Sequence, residues 1–266
     1  MSAIDDVFRA LRAQNRKAFM PFVTAGDPDL AFTGQILAEM MRRGANMCEL
    51  GIPYSDPIAD GPVIQASYTR ALAHKIKLAE ILAMLEQQRK QFTAPVVTMV
   101  SYAIVLRHGP AAYVADAKQA GVAGMIVPDL PTEESAEIAR ICRDQDFSLV
   151  PLIAPTTSRE RQLHIAEAAS GFIYYVSVTG ITGERAALPQ ELFDNLRWLR
   201  SQTDLPICVG FGVSTPEHVR ALAPVADGLI VGSAIVRRMA EADTRPREKV
   251  LAEVGDYVAD LLAALD

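Results

Sequence analysis

The chain has 266 residues, half of them hydrophobic and 22% charged, a composition that allows a large buried core and argues against disorder. Its net charge of −6 is spread along the chain without a basic stripe, which makes nucleic acid a poor partner. The mixed-charge N-terminus and the lack of any long uninterrupted apolar run argue against a signal peptide or a membrane span, so a cytoplasmic protein is expected.

An amphipathic helix is predicted over about residues 2–14. Eight short apolar or β-branched runs then follow. They are AFMPFVT (18–24), NMCELGI (46–52), PVVTMVS (95–101), AGMIVP (123–128), FSLVPLI (147–153), GFIYYVSV (171–178), PICVGF (206–211) and DGLIVGS (227–233). Helical periodicity separates them at 28–43, 109–120, 132–145, 157–169, 189–201 and 214–223. Leu78, Ile81, Leu82 and Leu85 form a further stripe at i, i+3, i+4 and i+7. After the charged break EADTRPREK, a last helix is predicted at about 247–264.

Strands that are apolar at nearly every position need cover on both faces, which implies a parallel sheet wrapped by helices. Eight strand–helix units predict an α/β fold, a closed (β/α)8 TIM barrel forming one domain over residues 1–266. To the basic eightfold plan the sequence adds the N-terminal helix and extra helices near strand eight and the C-terminus. An open doubly wound sheet is the competitor, but FVTAGDPDL after the first strand lacks the GxGxxG loop.

In such barrels the active site lies at the C-terminal ends of the strands. The second strand ends in Glu49 and runs into GIPYSDPIADGP, where Pro53, Pro57 and Pro62 stiffen the loop bearing Asp56 and Asp60. An apolar barrel mouth would raise the pKa of Glu49, while a more solvated Asp60 stayed ionised, giving an acid/base pair. Asp56 and Asp60 also suit turn and cap chemistry, and Glu49 could be salt-bridged, although its strand offers no cationic neighbour.

Glycines and hydroxyls follow strands six to eight in SVTGITGERAALP, CVGFGVSTPEHV and IVGSAIVRR. Gly180, Gly183, Gly210, Gly212 and Gly232, with Ser233 at a helix start, suit a phosphate dianion as well as ordinary tight turns. The stretch GITGERAALPQ (180–190), which carries Arg185, could close over a substrate. Phe22, Tyr102, Tyr174 and Phe211 suit a slot for a flat ring, or simple core packing.

The lysines fall outside the strand ends, the four histidines are dispersed, and Cys48, Cys142 and Cys208 lack zinc or redox spacing. Carboxylate acid/base chemistry on a phosphorylated small molecule is what remains.

Seven segments together carry a resemblance: PFVTAGDP (21–28), ELGIPYSDPIADGPVIQ (49–65), VPDLPTEES (127–135), IAPTT (153–157), FIYYVSVTGITG (172–183), GFGVSTPEHV (210–219) and GSAIV (232–236). In that order, and over nearly the whole chain, they resemble the tryptophan synthase alpha subunit family. The resemblance implies a lyase that splits indole-3-glycerol phosphate into indole and glyceraldehyde 3-phosphate by a retro-aldol reaction, with no cofactor in this chain. It implies that Glu49 protonates the indole carbon bearing the side chain and that Asp60 stabilises the indole N–H. Phe22, Tyr174 and Phe211 would line the slot, Thr182 would orient Asp60, and Gly183, Gly212, Gly232 and Ser233 would hold phosphate.

The resemblance also implies a partner, a beta subunit carrying pyridoxal phosphate, in an α2β2 heterotetramer that uses the indole to make L-tryptophan. Pro53, Asp56, Asp129 and Pro131 would face it. One departure stands out, because Ser101-Tyr102-Ala103-Ile104-Val105 lacks the asparagine common in the family on that side. A catalytically weak regulatory subunit and a stand-alone indole-releasing lyase are the alternatives.

Overall fold

A computed structural model of the chain describes residues 2–57, 60–177 and 188–265. Its first half runs α1 (Ala3–Ala13), β1 (Ala18–Thr24), α2 (Leu30–Arg42), β2 (Cys48–Gly51), α3 (Pro62–Ala73), α4 (Leu78–Gln88), β3 (Val96–Met99), α5 (Tyr102–His108), α6 (Pro110–Gln119), β4 (Val122–Ile126), α7 (Thr132–Asp144) and β5 (Ser148–Val150). The second half runs β6 (Leu152–Ile153), α8 (Arg159–Ala168), β7 (Ile173–Val176), α9 (Gln190–Arg200), β8 (Ile207–Gly210), α10 (Pro216–Leu222), β9 (Gly228–Val231), α11 (Ser233–Met239) and α12 (Arg247–Ala263).

The strands form one sheet in the order β5-β4-β3-β2-β1-β9-β8-β7-β6, and its pairings are parallel. Its two ends, β5 and β6, are consecutive in the chain and separated by Pro151. Proline has no N–H to give a ladder, so the stave divides there. The first piece pairs with β4, the second pairs with β7, and the Pro151 carbonyl accepts the Tyr174 N–H at 3.0 Å. The strand expected over 147–153 is therefore one stave in two pieces, and eight staves make the TIM barrel.

Alternation along each strand sorts the apolar residues into two layers. Phe19, Val23, Cys48, Leu50, Ile173, Tyr175 and Val209 pack outward against the helices. Ala18, Met20, Phe22, Met47, Val97, Met99, Tyr174, Cys208 and Ile230 fill the barrel interior. Continuous burial along a strand is thus two alternating faces, each with its own partner.

The bottom of the barrel is closed by α1. A capping box starts this helix, with the Asp5 N–H donating to Ser2 Oγ at 3.3 Å and the Ser2 N–H to Asp5 Oδ2 at 2.8 Å. Its Ile4, Phe8 and Leu11 join the interior cluster, and the Phe8 ring lies 5.8 Å from that of Phe172.

Two helices, α3 and α5, are absent from the sequence-based pattern. The buried positions of α3, namely Ile64, Ser67, Tyr68 and Ala71, have perfect helical spacing, but a serine and an alanine conceal the stripe. The Ser67 hydroxyl is satisfied by the Ile64 carbonyl at 2.7 Å and by Thr24 Oγ1 at 2.6 Å. Helix α5 has only seven residues, buries Val105 alone, and draws its N-terminal hydrogen bonds from Ser101 and Asp129. Among the described residues, no helix is long and apolar enough to cross a membrane.

Candidate active site

Strand β2 is buried at every position, and alternation turns Glu49 inward on the same face as Met47. The Glu49 side chain is fully buried, and neither carboxylate oxygen has a hydrogen-bond partner among the described residues. An ionised carboxylate is costly in such a place. Burial, with a smaller contribution from the negative charge of Asp60, pushes the Glu49 carboxyl up to about 8. Near neutral pH it is a protonated acid facing a cavity, which is the state a proton donor needs.

Asp60 arrives from the other side of that cavity. Gly61 caps α3 and Pro62 begins it, so the chain direction is set immediately after the acid. Gln65 Nε2 then fixes the backbone by donating to the Asp60 carbonyl at 2.7 Å. Burial first, and the charge of Asp129 second, raise the Asp60 carboxyl to about 6. Asp60 is therefore less solvated than its sequence context implied, but it still ionises before Glu49.

The two acids share a cleft at the C-terminal mouth of the barrel, with about 640 Å³ of empty space counting what opens to solvent. Its walls are apolar, formed by Phe22, Ile64, Met99, Tyr174, Phe211 and Ile230. Phe22 is paired in register with Glu49 across β1 and β2, which sets its ring beside the acid. The Tyr174 and Phe211 rings stand 5.8 Å apart with planes inclined by 33°. Gly212, Ser214, Gly232, Ser233 and Arg237 line the end made by β8 and β9.

Backbone conformation at that end is unusual. Phe211 has φ +67°, a left-handed conformation that large side chains rarely adopt, and Gly212 follows at φ +72°. The Ser177 hydroxyl holds the strained turn by donating to the Phe211 carbonyl.

The cavity also depends on a missing side chain. A Cβ at Gly210 would run into the Tyr174 ring. Gly210→Ala is expected to cost about 1–3 kcal/mol of stability as overpacking and to push Tyr174 into the slot. Urea unfolding together with the KM for substrate checks this, and an unchanged KM would show that the wall is not where substrate sits.

The cavity brings together Phe22, Glu49, Asp60, Tyr174, Phe211, Gly212, Gly232 and Ser233. It does not include Tyr102, which begins α5 rather than ending a strand and packs against the outer core. Thr182 and Gly183, with Gly180 and Arg185, lie outside the described residues.

Of the residues expected to face a partner, Pro53 is buried, whereas Asp56 and Pro131 are exposed. A second, open recess joins Asp56, Asp60 and Asp129 with Tyr54, Tyr68 and Ser101. Asp129 is engaged there, accepting the Ser101 hydroxyl and the Tyr102 N–H, each at 2.7 Å.

Sequence reasoning missed Ile64, Met99, Ile230, Ser214 and Arg237. Counting inward positions from Glu49 across the register finds Met99, while Ile64 follows only once α3 is recognised. The buried thiols of Cys48, Cys142 and Cys208 are free, and among the described residues no group of three or more His, Cys, Asp or Glu is placed to hold a metal.

Comparison with known proteins places the chain in a family. The family model described as tryptophan synthase alpha chain matches residues 8–263. A tryptophan synthase alpha chain from Rhodopirellula baltica is 53% identical over 276 residues, covering 100% of this chain and 99% of the relative. One from Synechococcus elongatus is 48% identical over 242 residues, covering 91% of each. The crystal structure of tryptophan synthase subunit alpha from Legionella pneumophila superposes with a TM-score of 0.90 at 36% identity, covering 100% of this chain and 99% of that one. The chain belongs to the tryptophan synthase alpha chain family.

Proposed function

We propose that the chain cleaves indole-3-glycerol phosphate to indole and glyceraldehyde 3-phosphate, acting as the alpha subunit of tryptophan synthase. The observation that carries this reading is the Glu49 carboxyl, buried and unpartnered among the described residues, facing an apolar slot that also holds Asp60.

An indole ring fits between Phe22, Tyr174 and Phe211, with its N–H toward Asp60 and its substituted carbon toward Glu49. Protonation of that carbon by Glu49 makes the ring an iminium, and the ionised Asp60 stabilises the positive charge at nitrogen. The side-chain hydroxyl then gives up its proton, its carbon becomes the aldehyde, and the electron pair of the breaking carbon–carbon bond returns to the ring. Glu49, deprotonated by the first step, is placed to accept that hydroxyl proton and so returns to its starting state. The phosphate occupies the end formed by Gly212, Gly232 and Ser233, a common anion site in this fold.

The relatives are named as chains or subunits of tryptophan synthase, which supports a beta subunit as partner in an α2β2 assembly. The recess beside Asp60, which contains Asp56 and Asp129, is the surface assigned to it. Pyridoxal phosphate belongs to that partner, and a cytoplasmic setting goes with this reading.

Incubation with indole-3-glycerol phosphate tests the activity. Indole should be released, and faster when beta subunit is added. No indole under either condition would remove the lyase reading. Size exclusion of the mixture tests the assembly, since a chain that releases indole yet never co-elutes with the beta subunit is a stand-alone lyase.

A further inference from the structure

Two residues outside the cavity tie its anion end together. Tyr257, on α12, donates its hydroxyl to the Ser214 carbonyl at 2.6 Å. Arg238, on α11, donates Nη1 to the Ala234 carbonyl at 2.8 Å, and its guanidinium carbon lies 3.7 Å from the centroid of the Tyr257 ring. Ser214 belongs to the turn after β8, and Ala234 lies in the first turn of α11, one helical turn before Arg238; both line the cavity. The stack of Arg238 on Tyr257, with the Tyr257 bond to Ser214, therefore links the start of α11 to the turn after β8. The Ser214 hydroxyl is itself buried, with no hydrogen-bond partner among the described residues. A buried hydroxyl at the edge of a cavity is a group awaiting a ligand atom.

We propose that Arg238 and Tyr257 form a positioning clamp that sets the spacing of the two turns binding the phosphate dianion, and that the Ser214 hydroxyl adds a direct hydrogen bond to it. This inference rests on the reading that phosphate occupies that end of the cavity. A dianion held by several donors needs each within a few tenths of an ångström of its place, so loosening one turn relaxes the whole set. The stack of guanidinium on phenol stiffens the contact, since each partner fixes the other's rotamer.

The two halves of the substrate provide separate probes. Glycerol 3-phosphate reports the anion end and indole reports the apolar end, each titrated by calorimetry against the full chain. Tyr257→Phe keeps the ring and loses the hydroxyl, and Arg238→Met keeps the stem and loses the guanidinium. Each is expected to weaken glycerol 3-phosphate about five- to tenfold, the worth of one hydrogen bond, with indole affinity unchanged. For indole-3-glycerol phosphate, KM should rise while kcat stays within about twofold. The double variant should lose less than the product of the two single losses, because the residues act as one unit. Ser214→Ala should weaken glycerol 3-phosphate alone, with the Tyr257 contact to its carbonyl retained.

Equal weakening of both probes would reveal a merely structural role, and unchanged glycerol 3-phosphate binding would show that the pair positions nothing; either overturns the clamp. A parent chain that binds glycerol 3-phosphate but releases no indole loses the lyase reading and keeps the clamp. A parent chain that binds no glycerol 3-phosphate loses the clamp.

Discussion

A Glu49→Gln chain is expected to be nearly inactive and yet more stable than its parent at alkaline pH. The amide can neither donate to carbon nor take up the hydroxyl proton, so the loss in kcat should fall near the top of the range for acid/base catalysis, about 10³–10⁴-fold. The stability gain follows from linkage. The Glu49 carboxyl has its pKa raised by burial from 4.5 to about 8, so its stabilising contribution is complete below the ordinary carboxylate range and is lost as pH rises through about 8. A glutamine has no such charge to bury. Urea unfolding should show the variant gaining on its parent from about pH 5 upward, by an amount on the order of 3–5 kcal/mol once above pH 8. Retained indole release would remove Glu49 from the chemistry. Loss of activity together with loss of stability would make it a structural residue.

Asp60→Asn should cost about 10²–10³-fold in kcat, the scale found when one group stabilising a developing charge is removed. Its pH signature is more diagnostic than its size. In the parent, kcat/KM should fall on the acid side as Asp60 is protonated near 6, and on the alkaline side as Glu49 loses its proton near 8. The two limbs are linked, because the charge of Asp60 adds to the rise of the Glu49 carboxyl. Asparagine should abolish the acid limb. It should also draw the alkaline limb to lower pH, since the charge of Asp60 helps hold the Glu49 proton. An acid limb that persists in the variant would assign it to another group, and an alkaline limb that stays in place would deny the coupling.

The barrel and its two acids were readable in the sequence because they rest on strong local signals. Continuous apolar runs at regular intervals demand a doubly covered parallel sheet, and an acid ending such a run has few innocent explanations. The misses have equally local causes. Helix α3 hides its stripe behind Ser67, whose hydroxyl is satisfied by Thr24, a residue 43 positions away. Tyr102 reads as a strand-end aromatic because nothing nearby in sequence announces α5, whose first N–H is taken by Asp129 after the neighbouring strand β4. Ser214 and Arg237 were overlooked because serine and arginine after glycine turns are common, and only the folded barrel brings both to one cavity.

The divided stave at Pro151 makes the molecule a ring with one missing rung. On one arc, residues 2–150 carry Phe22, Glu49 and Asp60; on the other, residues 152–265 carry Tyr174, Phe211, Gly212, Gly232 and Ser233. Neither arc holds both the two acids and the glycine–serine end of the cavity. The pairing of β1 with β9 and the link through Pro151 bring them face to face. The cavity is therefore complete only where the two arcs meet, along the β1–β9 pairing and at the Pro151 link.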